Sequence, residues 1–63
     1  MFIRDIVRND VNRALVKAIN EVGHVMGIRT VAEYVEDGAT LDAVRTLGID
    51  YAQGHAIGAA RQL

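Results

Sequence analysis

The 63-residue chain contains no cysteine and no proline, and its formal net charge is only −1. The absence of thiols excludes a disulfide framework and a thiolate metal site, the usual reinforcements of a very small domain. The near-balance of charge gives no electrostatic case for DNA, RNA or an anionic membrane as partner. No apolar run approaches the roughly 20 residues of a spanning helix, and the N-terminus lacks the apolar core of a signal peptide. There is no internal repeat, linker or low-complexity segment. A soluble cytoplasmic protein, or part of one, is the expectation.

What the chain has in quantity is apolar material, 51% of its residues. A chain of this size buries only about 60% of its unfolded surface. It has few layers in which to hide that content, so it either associates with a second chain or belongs to a larger body.

Asn9 is a favourable helix N-cap, with Asp10 in the first turn complementing the helix dipole. Val11, Leu15, Ala18, Ile19, Val22 and Met26 recur at three- and four-residue spacing, which predicts a helix over about 10–26 with this stripe inward. Gly27 stands where a glycine ends a helix. Residues 1–8 read as the tail of a strand or an extended lead-in. "IRTVAEYV" (28–35) has the composition and length of a strand buried on both faces. Asp37 caps a second helix over roughly 38–47, with Leu41, Val44 and Leu47 inward and Gly48 at its end. "IDYAQG" gives a second strand, and "HAIGAARQL" an irregular tail. The order helix-strand-helix-strand, with a helical crossover of about a dozen residues, predicts a parallel pair in an α/β fold.

Strand alternation places Val31, Glu33 and Val35 on one face and Thr30, Ala32 and Tyr34 on the other. Glu33 then lies at the C-terminal end of a parallel strand, where α/β enzymes collect their site residues. A carboxylate there binds a hard metal or takes a proton from water; the structural alternative is a solvated acid, or one paired with Arg29 or Lys17. Glu36 is either a site acid or a loop acid facing solvent. Gln53, followed by Gly54, ends the second strand as Glu33 ends the first; its plainer reading is a polar strand end beside a turn glycine. Asp37 is fully accounted for as an N-cap. His24 and His55, one helical and one in the tail, form no zinc site.

"FIRDI", "NRALVKAINEVGHVMGIRTVAEYVED" and "LGIDYAQGHAIG" together resemble the C-terminal part of EAL domains, the cyclic di-GMP phosphodiesterases. The resemblance covers essentially the whole chain, 1–63, as one partial domain. "VAEYVE" is similar to the family's V-A-E-G-V-E stretch, and "DYAQG" to its D-x-x-Q-G-Y stretch. It implies a modified TIM-type barrel, of which two parallel strands are roughly a quarter. It further implies two divalent metals, Mg²⁺ or Mn²⁺, that promote hydrolysis of one phosphodiester of cyclic di-GMP to the linear dinucleotide. By position, Glu33 corresponds to the acid near the metal-bound water, proposed as general base; Glu36 to a second acid that organises the site; and Gln53 to a glutamine beside the substrate pocket.

The chain lacks the Glu-Ala-Leu triplet, the Asp-Asp pair and the upstream metal-binding asparagine, and begins just after the family's Lys-x-Asp strand. Tyr34 replaces the usual Gly, His55 the usual Tyr, and "GAARQL" lacks the usual prolines. The expectation is therefore a fragment of a phosphodiesterase domain, inactive alone, that self-associates or pairs with the rest of a barrel. The alternative is a degenerate interaction module that pairs through exposed parallel strands.

Overall fold

A computed structural model describes Ile3 and residues 5–63 of the chain. Asn9 starts the first helix as its side chain favours, with extended backbone and an Oδ1 that accepts the Asn12 amide at 3.0 Å. Helix α1 spans Asp10–Val25. Gly27 follows it at φ 76°, the left-handed conformation that glycine adopts without steric cost. Strand β1 is Val31–Ala32. Helix α2, Gly38–Thr46, is capped by Asp37, whose Oδ1 accepts the Thr40 amide at 2.7 Å. Strands β2 (Tyr51–Gly54) and β3 (Gly58–Gln62) complete the chain.

The sheet order is β1-β2-β3. β1 and β2 are parallel, with Val31 opposite Tyr51 and Ala32 opposite Ala52, as the α2 crossover requires. The result is a small mixed α/β unit of two helices and three strands. Its core joins Ile3 and Ile6 to Val16 of α1, Ala32 and Val35 around β1, Val44 of α2, and Ile49 and Ala52 around β2. Leu41 and Leu47 pack against that core, as the spacing within α2 predicts.

Four expectations are corrected. Residues 5–8 form a turn, not an extended lead-in; residues 1, 2 and 4 of that stretch lie outside the described residues. The turn, closed by the Asn9 amide on the Asp5 carbonyl at 2.8 Å, lets Ile3 and Ile6 both enter the core.

The apolar stripe of α1 faces outward. Val11 is 75% exposed, and Leu15, Ile19, Val22 and Met26 are also largely exposed, whereas Val16 and Asn20 are buried. The inward face is chosen by hydrogen bonds. Asn20 Nδ2 donates to the Leu47 carbonyl at 3.1 Å, its Oδ1 accepts the Thr30 hydroxyl, and Arg13 Nη1 donates to the Ile6 carbonyl at 3.1 Å. Spacing identifies a helix, but it does not say which face packs within this chain.

The third correction is to β1, which is much shorter than 28–35. Tyr34 takes φ 62°, and this reverses the alternation: Glu33 and Tyr34 are exposed while Val35 returns to the core. The tail is the fourth. Its residues turn at 55–57 and return as β3, antiparallel to β2 with Ala52 opposite Arg61, so the sheet is mixed rather than purely parallel. Gly58 (φ 81°) admits the turn, and Ile57 and Leu63 anchor the hairpin against the core.

Candidate active-site cleft at the strand ends

Parallel pairing brings the C-terminal ends of β1 and β2 side by side, and a backbone clasp joins the segments just beyond them. The Val35 amide donates to the Gln53 carbonyl, and the Ala56 amide donates to the Val35 carbonyl, both at 2.9 Å. Gly54 permits this approach: a Cβ on it would lie 2.3 Å from the Val35 nitrogen and 2.4 Å from its oxygen. The clasp draws the loop after β1 against the β2–β3 turn. Between them opens a cleft of about 300 Å³, lined by Glu33, Tyr34, Glu36, Gln53, Gly54 and His55.

All three residues expected at a site from the sequence, Glu33, Glu36 and Gln53, line this one cleft. Glu33 is exposed. Lys17 pairs with Glu21 and Arg29 Nη1 donates to Tyr51 Oη, so neither cation considered for Glu33 neutralises it. Glu36 is not a free loop acid. Its Oε2 lies 2.7 Å from His55 Nδ1 and accepts the His55 amide at 3.3 Å. Asp37 keeps to its capping role. Hydrogen bonds from the Thr40 hydroxyl and amide hold its carboxyl below the ordinary aspartate value.

Two lining residues, Tyr34 and His55, escaped the reading of the residues as chemistry. The available signal was adjacency: each directly follows a site residue or its glycine in the chain, Glu33-Tyr34 and Gln53-Gly54-His55.

The carboxylates of Glu33 and Glu36 are hard oxygen donors of the kind that suit Mg²⁺ or Mn²⁺. Their number falls short. Among the described residues no group of three or more His, Cys, Asp or Glu is placed to hold an ion, and one oxygen of Glu36 is already bonded to His55.

A second polar cluster lies at the opposite, N-terminal ends of the same strands. Asp50 Oδ2 accepts the Thr30 amide at 2.7 Å and meets His24 Nε2 at 2.7 Å, and the Thr30 hydroxyl accepts the Asp50 amide at 3.3 Å. The Thr30 amide first, and His24 second, hold the Asp50 carboxyl below its usual range. With Asn20 this network ties α1 to the entry of both strands. It is structural in character, and both polar residues at its centre, Asn20 and Thr30, are buried.

Acids and a glutamine gathered at the carboxyl ends of paired parallel strands are the arrangement that α/β enzymes use for their sites. The chain belongs to the EAL domain family, which its residues 1–60 match. It is 47% identical over 62 residues to the cyclic di-GMP phosphodiesterase PdeB of Shewanella oneidensis, covering 98% of this chain and 7% of that protein. It is 42% identical over 62 residues to the cyclic di-GMP phosphodiesterase PdeF of Escherichia coli, covering 98% and 8%. With the probable cyclic di-GMP phosphodiesterase PdeA of E. coli it shares 32% identity over 63 residues, or 100% and 9%. The chain therefore spans less than a tenth of the length of these relatives. Among the described residues no helix is long and apolar enough to cross a membrane.

Proposed function

We propose that the chain is the C-terminal segment of a metal-dependent, cytoplasmic cyclic di-GMP phosphodiesterase domain, a part of a TIM-type barrel that does not hydrolyse the dinucleotide alone. The observation that carries this reading is the convergence of Glu33, Glu36 and Gln53 on one cleft at the strand ends. In the complete domain, Glu33 supplies a carboxylate to the metal-bearing site and removes a proton from the attacking water. Glu36 organises the site, through its contact with His55, and Gln53 hydrogen-bonds the substrate. Mg²⁺ or Mn²⁺, when bound, supplies positive charge to the phosphodiester undergoing attack. Glu33 suits the proton-accepting role because it is exposed to the cleft and neither Lys17 nor Arg29 neutralises it.

The test restores the missing strands by fusing an upstream EAL barrel ahead of Phe2 and measuring cyclic di-GMP turnover. Glu33→Gln keeps the shape and removes the basicity, so turnover should fall by about 10²–10⁴-fold. Asp37→Asn, at the helix cap, should leave turnover nearly intact. An active fusion that tolerates the first change and loses activity with the second would overturn the assignment. The 63-residue chain itself, given Mg²⁺ or Mn²⁺, should show no turnover above a metal-only blank.

One observation favours a second reading, an interaction module without catalysis. The outward stripe of α1 presents a continuous run of large apolar side chains, from Val11 through Leu15, Ile19 and Val22 to Met26. Such surfaces mark contact with another protein body. Activity of the fused domain would decide for the first reading, and its absence in a well-folded fusion for the second.

A further inference from the structure

We propose that Tyr34 is a stacking surface for the planar ring of a purine nucleotide entering the cleft. This rests on the reading of the cleft as a nucleotide site and adds a binding residue to it. Three observations converge on this side chain. First, its ring lines the same cleft as Glu33, Glu36 and Gln53, yet remains 63% exposed, where a tyrosine serving the core would be covered. Second, its backbone is left-handed, φ 62°. That conformation is costly for a residue with a bulky side chain, and strained residues concentrate at functional sites. The strain is held by the clasp at the next residue, where Val35 is bonded through both its amide and its carbonyl.

Third, the cleft needs such a surface. Glu33, Glu36 and Gln53 offer charge and hydrogen bonds, and Gly54 offers no side chain, which leaves Tyr34 and His55 as the planar groups of the lining. Both positions are ones where the chain departs from the motifs it resembles, glycine at 34 and tyrosine at 55. The aromatic phenol ring stands on the β1 side of the cleft in this chain. A nucleobase has a π-face whatever its hydrogen-bonding edge, so stacking accepts it without a built hydrogen-bond pocket.

All six lining residues belong to this chain, so the chain as it stands can be tested. Nuclear magnetic resonance titration compares GMP with ribose 5-phosphate, which carries the sugar and phosphate without the base. GMP should move the Tyr34 ring resonances, and ribose 5-phosphate at equal concentration should not. Tyr34→Gly should weaken GMP binding about tenfold, the scale of one lost base–aromatic stack. Tyr34→Phe should retain most of the affinity. GMP affinity that falls in Tyr34→Gly and is kept in Tyr34→Phe is what a merely structural tyrosine would not give. Equal shifts from the two ligands, no shift from GMP, unaltered GMP affinity in Tyr34→Gly, or an equal loss of affinity in Tyr34→Phe would each overturn the proposal. The Glu33→Gln turnover test reads a different residue and a different property, so either reading can fail without the other.

Discussion

Replacing Gly54 with alanine tests the clasp on which the whole cleft depends. The added Cβ would meet backbone, not a side chain that can swing aside: the Val35 nitrogen at 2.3 Å, oxygen at 2.4 Å and carbonyl carbon at 2.8 Å. Gly54 also holds φ 150°, a region that other residues rarely enter. Relief requires β2 and the loop after β1 to separate. That breaks the Val35–Gln53 and Ala56–Val35 backbone bonds, each worth about 0.5–1.5 kcal/mol net, on top of about 1–3 kcal/mol of overpacking. A domain of this length has about 3–9 kcal/mol of stability in all. Gly54→Ala should therefore remove a large share of that stability and sharply lower the thermal midpoint read by circular dichroism. Two controls isolate the cause. A Cβ at Gly58 (φ 81°) meets nothing within 4 Å, so Gly58→Ala should cost only the left-handed term, about 1–2 kcal/mol. Gly38, at the start of α2, also meets nothing within 4 Å and has no positive φ, so Gly38→Ala should be neutral or stabilising. If Gly54→Ala melted no lower than Gly58→Ala, the account of the clasp would be wrong.

The Asp50 network predicts an acid-sensitive fold. Its folded-state pKa is depressed below 3.8, so its stabilisation is complete above that value and is lost as pH falls through the lower folded-state pKa. Denaturant melts should show the parent weakening below about pH 4, and Asp50→Asn, less stable at neutral pH, losing less on acidification; parallel pH profiles would refute this. Asn20→Leu strands the Leu47 carbonyl, while the Thr30 hydroxyl keeps Asp50 Oδ2 as an acceptor at 3.2 Å, so it should cost about 2 kcal/mol and lower the melting temperature by roughly 8–16 °C. An unchanged melting temperature would show that the apolar side chain replaces the network. Sedimentation of the parent at rising concentration should show self-association that Leu15→Glu, on the outward face of α1, reduces; a monomer throughout would exclude that face as a contact surface.

The helix ends are legible in this sequence because their signals are local. Asn9, Asp37, Gly27 and Gly48 mark them through their own backbone and side-chain chemistry, and each does so in the structure. The parallel pairing of β1 and β2 follows from the length of the crossover, and Glu33, Glu36 and Gln53 converge because parallel strands end on the same side. The features that differ from expectation are long-range. The orientation of α1 is decided by Asn20, a residue outside the apolar spacing, bonding across 27 positions to Leu47. β3 forms because Ile57 and Leu63 find the core and Gly58 allows the turn, and no strand pattern announces it in "GAARQL". The reversal at Tyr34 is invisible to an alternation rule that assumes every residue is extended.

The brevity of β1 follows from the left-handed turn at Tyr34, which takes the chain out of the ladder. The sequence from 28 to 35 has the composition of a long buried strand, but only Val31–Ala32 are assigned as strand, and β1 is at one end of the order β1-β2-β3. On its β2 side the ladder begins with the Tyr51 amide donating to the Thr30 carbonyl at 3.0 Å, and ends where Tyr34 turns. Among the described residues no strand lies on the other side. A parallel neighbour there would extend the ladder and cover the edge, the condition in which a strand rich in Val and Ile is stable. It would also place its own C-terminal end beside Glu33, on the side of the cleft away from Gln53. In this chain the ladder stops at Ala32, and the left-handed turn at Tyr34 leaves Glu33 at the surface.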